Sequence, residues 1–146
     1  MAPRQAGSYV LIMRLPDPVG IDVGHLGRCE FDRGWYAYAG SARGPGGLAA
    51  RIDRHRRTTK PLHWHVDYLR AYATAVAVWY TVGERRRECR WARALSELPG
   101  ARLPAPRFGA SDCRCRAHLI GYPHPPKLST FSHLVEAGVL QEAFGE

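Results

Sequence analysis

The chain has 146 residues, 45% of them apolar, and 21 Lys+Arg against 13 Asp+Glu give it a net charge of +8. That apolar content excludes a disordered chain, and the length fits one domain with its own core. No run reaches the roughly 18–20 apolar residues of a membrane span and the N-terminus lacks a hydrophobic signal region, so a cytoplasmic protein is expected.

In chain order, "SYVLIMRL" from Ser8 to Leu15 is rich in β-branched and large apolar residues and stops at "PDPVG", which predicts a strand entering a loop. "RCEFD", the turn residues Arg33-Gly34 and "WYAYAG" predict a hairpin. After "GPGG", the segment from Leu48 has helical spacing with Leu48, Ile52 and His55 near one face. "LHWHVDYLRAY" predicts a short helix, "TAVAVWYTV" (Thr74 to Val82) a buried strand, and "ERRRECRWARALSEL" a helix stopped by Pro99-Gly100. "RFGASDCRCRAHLIGYP" mixes a turn with a short strand; Pro123 to Pro126 marks an exposed connection before a last helix, roughly Phe131 to Phe144. The first strands are joined by links too short for parallel crossovers, so a small α/β domain with a mostly antiparallel sheet is expected.

Strand alternation puts Tyr36 and Tyr38 on one face and Trp35 and Ala37 on the other. Arg51 and His55, four residues apart, share a helix face. Hydroxyls, an imidazole and a fixed cation can move a proton and hold developing negative charge, as phosphodiester hydrolysis requires. A divalent cation would complete the set, with Glu88 as the candidate carboxylate. The bland reading of the same residues is a half-buried strand surface and a solvated helix face.

Taken together, Gly7-Ser8-Tyr9, Tyr38-Ala39-Gly40, Arg51, His55 and Glu88 resemble the GIY-YIG nuclease superfamily over roughly Gly7 to Leu98. "GSYVLIM", "GWYAYAGSARGPGGLAARIDRHRR", "HWHVDYL", "REC" and "FGASDCRCRAHL" are similar to its DUF123 branch and extend the likeness to about Leu119. The resemblance implies a small central antiparallel sheet of three strands flanked by helices. An extra hairpin would arise from the inserted "IDVGHLGRCEFD", which could cover or reshape the sheet face. A core of about 7–122 and a C-terminal extension of 123–146 form the single expected domain.

The implied activity is endonucleolytic cleavage of DNA, in preference to RNA, with DNA repair as one setting. Tyr9 and Tyr38 would activate and position the attacking water, Arg51 would steady the scissile phosphate, and His55 would stand at the following turn. Glu88 would hold Mg²⁺ or Mn²⁺, and His63 or His65 would take the place of a further histidine. Ser8 and Ala39 replace isoleucines of the two name motifs at packing positions.

Arg43, Arg54, Arg56, Arg57 and Lys60 are candidate phosphate-backbone contacts, whose bland alternative is a solvated helix end. Cys89, Cys113, Cys115 and His118 form a candidate zinc set, although a buried role for the cysteines and a turn capped by Ser111 and Asp112 explain the same residues. In "LHWHVDYLRAY", a metal or acid/base cluster of His63, His65 and Asp67 competes with the preferred packing motif, in which Trp64, Tyr68 and Leu69 fill the core. A non-catalytic nucleic-acid-binding module and a zinc-stabilised adaptor are the alternatives to an enzyme.

Overall fold

A computed structural model describes residues 2–57, 60–111, 113–136 and 138–144. Its centre is a run of large β-formers, β1 (Gly7–Leu15), which pairs antiparallel with β4 (Gly34–Ala42) on one side and β5 (Thr74–Val82) on the other. The sheet is not three-stranded as expected. β6 (Leu119–Tyr122) adds to β4, and β7 (Leu140–Ala143) adds to β5, giving the antiparallel order β6-β4-β1-β5-β7.

The expected pairing of "RCEFD" with "WYAYAG" does not occur. β3 (Arg28–Phe31) pairs instead with β2 (Val19–Asp22) in a separate two-stranded sheet, so the insertion is a self-contained hairpin. The link between β3 and β4 is short enough for a hairpin, but β1 and β6 already hydrogen-bond the two sides of β4.

The last helix is also shorter than expected. α4 (Leu128–Val135) ends at Glu136, which has a left-handed backbone, and the chain turns back as β7. Residues after Pro126 thus build the fold: α4 buries Phe131, and β7 extends the sheet. The helix expected over "ERRRECRWARALSEL" is α3 (Glu88–Leu95), so the arginines before it stay outside the helix.

Strand alternation divides the core into two layers. One face of the sheet sends Tyr9, Leu11, Met13, Tyr36 and Tyr38 towards α1 (Gly47–Arg56), α2 (His65–Arg70) and the β2–β3 hairpin. The other sends Val10, Ile12, Ala37, Ala39 and Trp79 towards α3 and α4. Leu48, Ile52 and His55 are the inward side of α1, as their spacing predicts. The α2 terminus is held by Asp67, whose Oδ2 accepts from the Trp64 N–H at 2.8 Å and the His63 N–H at 2.9 Å.

Candidate functional site

The register of β1 against β4 places Tyr9 opposite Gly40. A Cβ at position 40 would lie 2.5 Å from both Cζ and the hydroxyl of Tyr9, so glycine is what lets the phenol lean across the neighbouring strand. The Tyr9 hydroxyl then meets His55 Nε2 at 2.7 Å, with both residues fully buried.

Burial pushes the Tyr9 phenol up to about 12, against a smaller downward pull from the charge and hydrogen bond of Arg51. Burial, followed by the positive charges of Lys60 and Arg51, pushes the His55 imidazole down to about 3. Both are therefore neutral near pH 7. Tyr9 and His55 thus form a buried neutral pair joined by one hydrogen bond, with the Arg51 charge close enough to act on the phenol. His55 Nδ1 is buried and finds no partner among the described residues.

Close to this pair lies a cavity of about 410 Å³. Tyr38 from β4, Arg51 from α1 and Glu88 at the start of α3 all line it, with Arg43 and Arg86 also on its wall. Tyr9 does not line it; its ring lies 6.5 Å from that of Tyr38. Glu88 Oε2 is buried and lacks a hydrogen-bond partner among the described residues, which fits a hard cation that seeks carboxylate oxygen. No residue of the β2–β3 hairpin borders the cavity, although the hairpin packs on the same face of the sheet.

His63 and His65 both reach the cavity wall. The Gly109 N–H donates to His65 Nδ1 at 2.7 Å, which leaves the proton on Nε2. Burial, with a contribution from His25, lowers the affinity of His65 for a second proton. Gly109 has φ +73°, and a Cβ there would lie 2.8 Å from the Tyr38 ring, so glycine permits both this backbone turn and the close approach.

Trp64, read from the sequence as core filling, is half-buried and belongs to the cavity wall. The guanidinium carbons of Arg51 and Arg54 each lie 4.2 Å from the centre of its ring, a cation–π arrangement that orients Arg51. Arg86, also on the wall, is not among the residues expected from the sequence. Gly40 closes the Tyr38-Ala39-Gly40 motif, whereas the role of Trp64 has no sequence signature.

The candidate phosphate-binding cations are dispersed. Arg54 grips Asp67 with both terminal nitrogens, at 2.7 and 2.8 Å, and donates to Pro61 O at 3.2 Å. Burial tends to raise the Asp67 carboxyl, but Arg54 and the Trp64 and His63 N–H groups outweigh it and hold the carboxyl below its ordinary value. Asp67 is thus a structural anchor, as the packing reading expected. Arg56 pairs with Glu142, Lys60 donates to Arg57 O at 2.6 Å, and Arg43 donates to Glu84 O. Of the five, Arg43 borders the cavity.

The four residues of the candidate zinc set do come together. One ligand atom from each of Cys89, Cys113, Cys115 and His118 lies within 4.8 Å of the others, a group able to hold a metal ion. His118 Nε2 is 3.6 Å from Cys89 Sγ and 3.5 Å from Cys113 Sγ. Burial and the neighbouring Cys115 and Cys113 thiols push the Cys89 thiol up in the metal-free arrangement. Ser111 lines the cavity, while Asp112 and its proposed cap lie outside the described residues. A larger cavity of about 600 Å³ borders Cys89 and Cys115, but no tyrosine, histidine or carboxylate lines it.

No helix among the described residues is long and apolar enough to cross a membrane. Searches of curated proteins and of solved structures each returned no match. A family model described as "Domain of unknown function DUF123" matches residues 8–139, a span that holds every residue of the cavity and of the cysteine–histidine group. The chain belongs to the DUF123 family.

Proposed function

We propose that the protein is a divalent-metal-dependent endonuclease that hydrolyses phosphodiester bonds in DNA, on the pattern of the GIY-YIG nucleases its motifs resemble. The observation that carries this reading is the convergence of Tyr38, Arg51 and Glu88, from three separate elements, on one cavity with the buried Tyr9–His55 pair behind it.

Arg51 donates to the non-bridging oxygens of the scissile phosphate and offsets the charge that grows there as water attacks phosphorus. Tyr38, on the cavity wall, hydrogen-bonds the attacking water. Tyr9 is too buried to meet water, so it positions Arg51 while His55 holds its hydroxyl in orientation. Trp64 supports the other side of the Arg51 guanidinium. Glu88 would hold Mg²⁺ or Mn²⁺, which when bound supplies Lewis-acid polarisation of a phosphoryl oxygen. Arg43 and Arg86 add positive charge at the rim for the nucleic-acid backbone.

The test is cleavage of supercoiled plasmid and branched DNA oligonucleotides with Mg²⁺ or Mn²⁺. Wild-type activity should vanish with EDTA and fall at least ~1,000-fold in Glu88→Gln, a loss of roughly 4 kcal/mol of transition-state stabilisation. Salt-sensitive DNA binding without cleavage, unchanged by Glu88→Gln, would replace the enzyme with a binding module.

A further inference from the structure

We propose that Cys89, Cys113, Cys115 and His118 bind one Zn²⁺ in a closed tetrahedral site that staples the segment 107–118 to the start of α3. The argument is geometric. Zinc with Zn–S near 2.3 Å and Zn–N near 2.0–2.1 Å has sulfur-to-nitrogen edges of about 3.5 Å in a tetrahedron. The two sulfur-to-Nε2 separations here are 3.6 and 3.5 Å, and all four ligand atoms fall within 4.8 Å.

The histidine is already oriented for the task. His118 Nδ1 lies 3.2 Å from the carbonyl of Ala39, and a carbonyl can only accept, so the proton sits on Nδ1. The Nε2 lone pair then points into the thiol cluster, held by the kind of outer hydrogen bond that metal-bound histidines use.

The segment supplying three of the ligands also needs such a fastening. Between the end of α3 and β6 the described residues form no helix or named strand. Arg107 gathers part of it, donating to the carbonyls of Ala110, Cys113 and Cys115 at 2.5, 2.6 and 2.6 Å. Nothing in that set ties the segment to α3; the Cys89 ligand does. Three thiolates and one imidazole match the softness of zinc, and four protein ligands leave no open position for substrate, so the role is structural.

The consequence reaches the cavity. Cys89 is covalently next to Glu88, and Gly109, Ser111 and His118 also line the cavity. The zinc site therefore ties Glu88 to the part of the wall supplied by 109–118 without touching a phosphate. Binding of zinc does not depend on the endonuclease reading.

The experiment is metal analysis of protein purified without chelator, followed by Co²⁺ substitution. About one equivalent of zinc is expected, and the Co²⁺ form should show the intense visible bands and near-ultraviolet charge transfer of a tetrahedral thiolate site. Cys113→Ser should weaken Zn²⁺ binding by more than ~100-fold, beyond the cost of losing an outer-shell partner, whereas Cys29→Ser should retain full zinc. Because losing a ligand such as Cys113 can also unfold a chain, hydrogen exchange of wild-type protein with and without chelator supplies an independent reading: loss of protection confined to 107–118 and the start of α3 supports the staple. Less than about a tenth of an equivalent after reconstitution, a disulfide at Cys89, iron with inorganic sulfide, or an octahedral Co²⁺ spectrum overturns it. None of these readouts requires DNA cleavage, so failure of the zinc site and failure of the nuclease proposal are separately visible.

Discussion

On the α3–α4 face of the sheet, Phe131 packs at 5.3 Å from Trp79 and 5.1 Å from Trp91, ring centre to ring centre. On the α1–α2 face, the same depth of burial holds Tyr9, His55 and Asp67. The first face gains stability in proportion to apolar area removed from water. The second pays desolvation for each polar group and recovers it through directed hydrogen bonds, which hold Arg51 and the cavity wall in one geometry. Both layers bury an apolar core, and the α1–α2 layer adds buried polar side chains that help to aim the cavity wall.

The largest effect should come from breaking the apolar face. Phe131→Ala removes a fully buried ring between two tryptophans and should cost about 3–5 kcal/mol in denaturant unfolding. A small cost would mean that the polar face carries more of the stability than its chemistry suggests.

Acid sharpens the comparison from the other side. His55 is held neutral in the folded chain, down to about 3, whereas in the unfolded chain it protonates near 6.5. The contribution is therefore intact above pH 6.5 and declines as pH falls, because the unfolded chain gains a proton that the folded chain refuses. The slope should be about 1.4 kcal/mol per pH unit, or roughly 2 kcal/mol by pH 5, and His55→Leu should flatten most of it. His65, lowered in the same direction, leaves a residual slope. Asp67 acts only below the ordinary carboxylate range, since its folded value is depressed. Parallel pH profiles for wild type and His55→Leu would refute the assignment.

The smallest effect belongs to the surface. Arg56 pairs with Glu142 and lies 4.8 Å from the Phe144 ring centre, but its side chain is 40% exposed. Arg56→Ala should therefore cost less than about 1 kcal/mol, as measured by thermal unfolding. A larger loss would show that the pairing of β5 with β7 depends on this contact.

Much of this division was legible beforehand. The alternation of "WYAYAG" sorted Tyr36 and Tyr38 from Trp35 and Ala37, and the spacing of Leu48, Ile52 and His55 marked the inner side of α1. The cysteine and histidine spacing also raised the possibility of a metal site, but it could not bring Cys89 within reach of Cys113, because closure depends on how α3 meets a distant irregular segment. The partner of β3 differs from expectation for a related reason, and β7 stands where a continued helix was expected. A short segment states its tendency to extend, whereas its hydrogen-bonding neighbour is whichever open edge the rest of the fold leaves available.

The cations show the limit most clearly. In the sequence Arg51, Arg54, Arg56 and Arg57 form one run of positive charge, from which the motif resemblance alone sets Arg51 apart. The fold commits Arg54 to Asp67 and Arg56 to Glu142, and places Arg51 between Trp64 and the cavity. By itself the sequence determined the elements, the inward faces and the chemical kinds of side chain, because those follow from local periodicity and composition. Only the tertiary structure decided which charge is neutralised, which tyrosine reaches the cavity and which thiols meet, because each depends on distances between residues far apart in the chain.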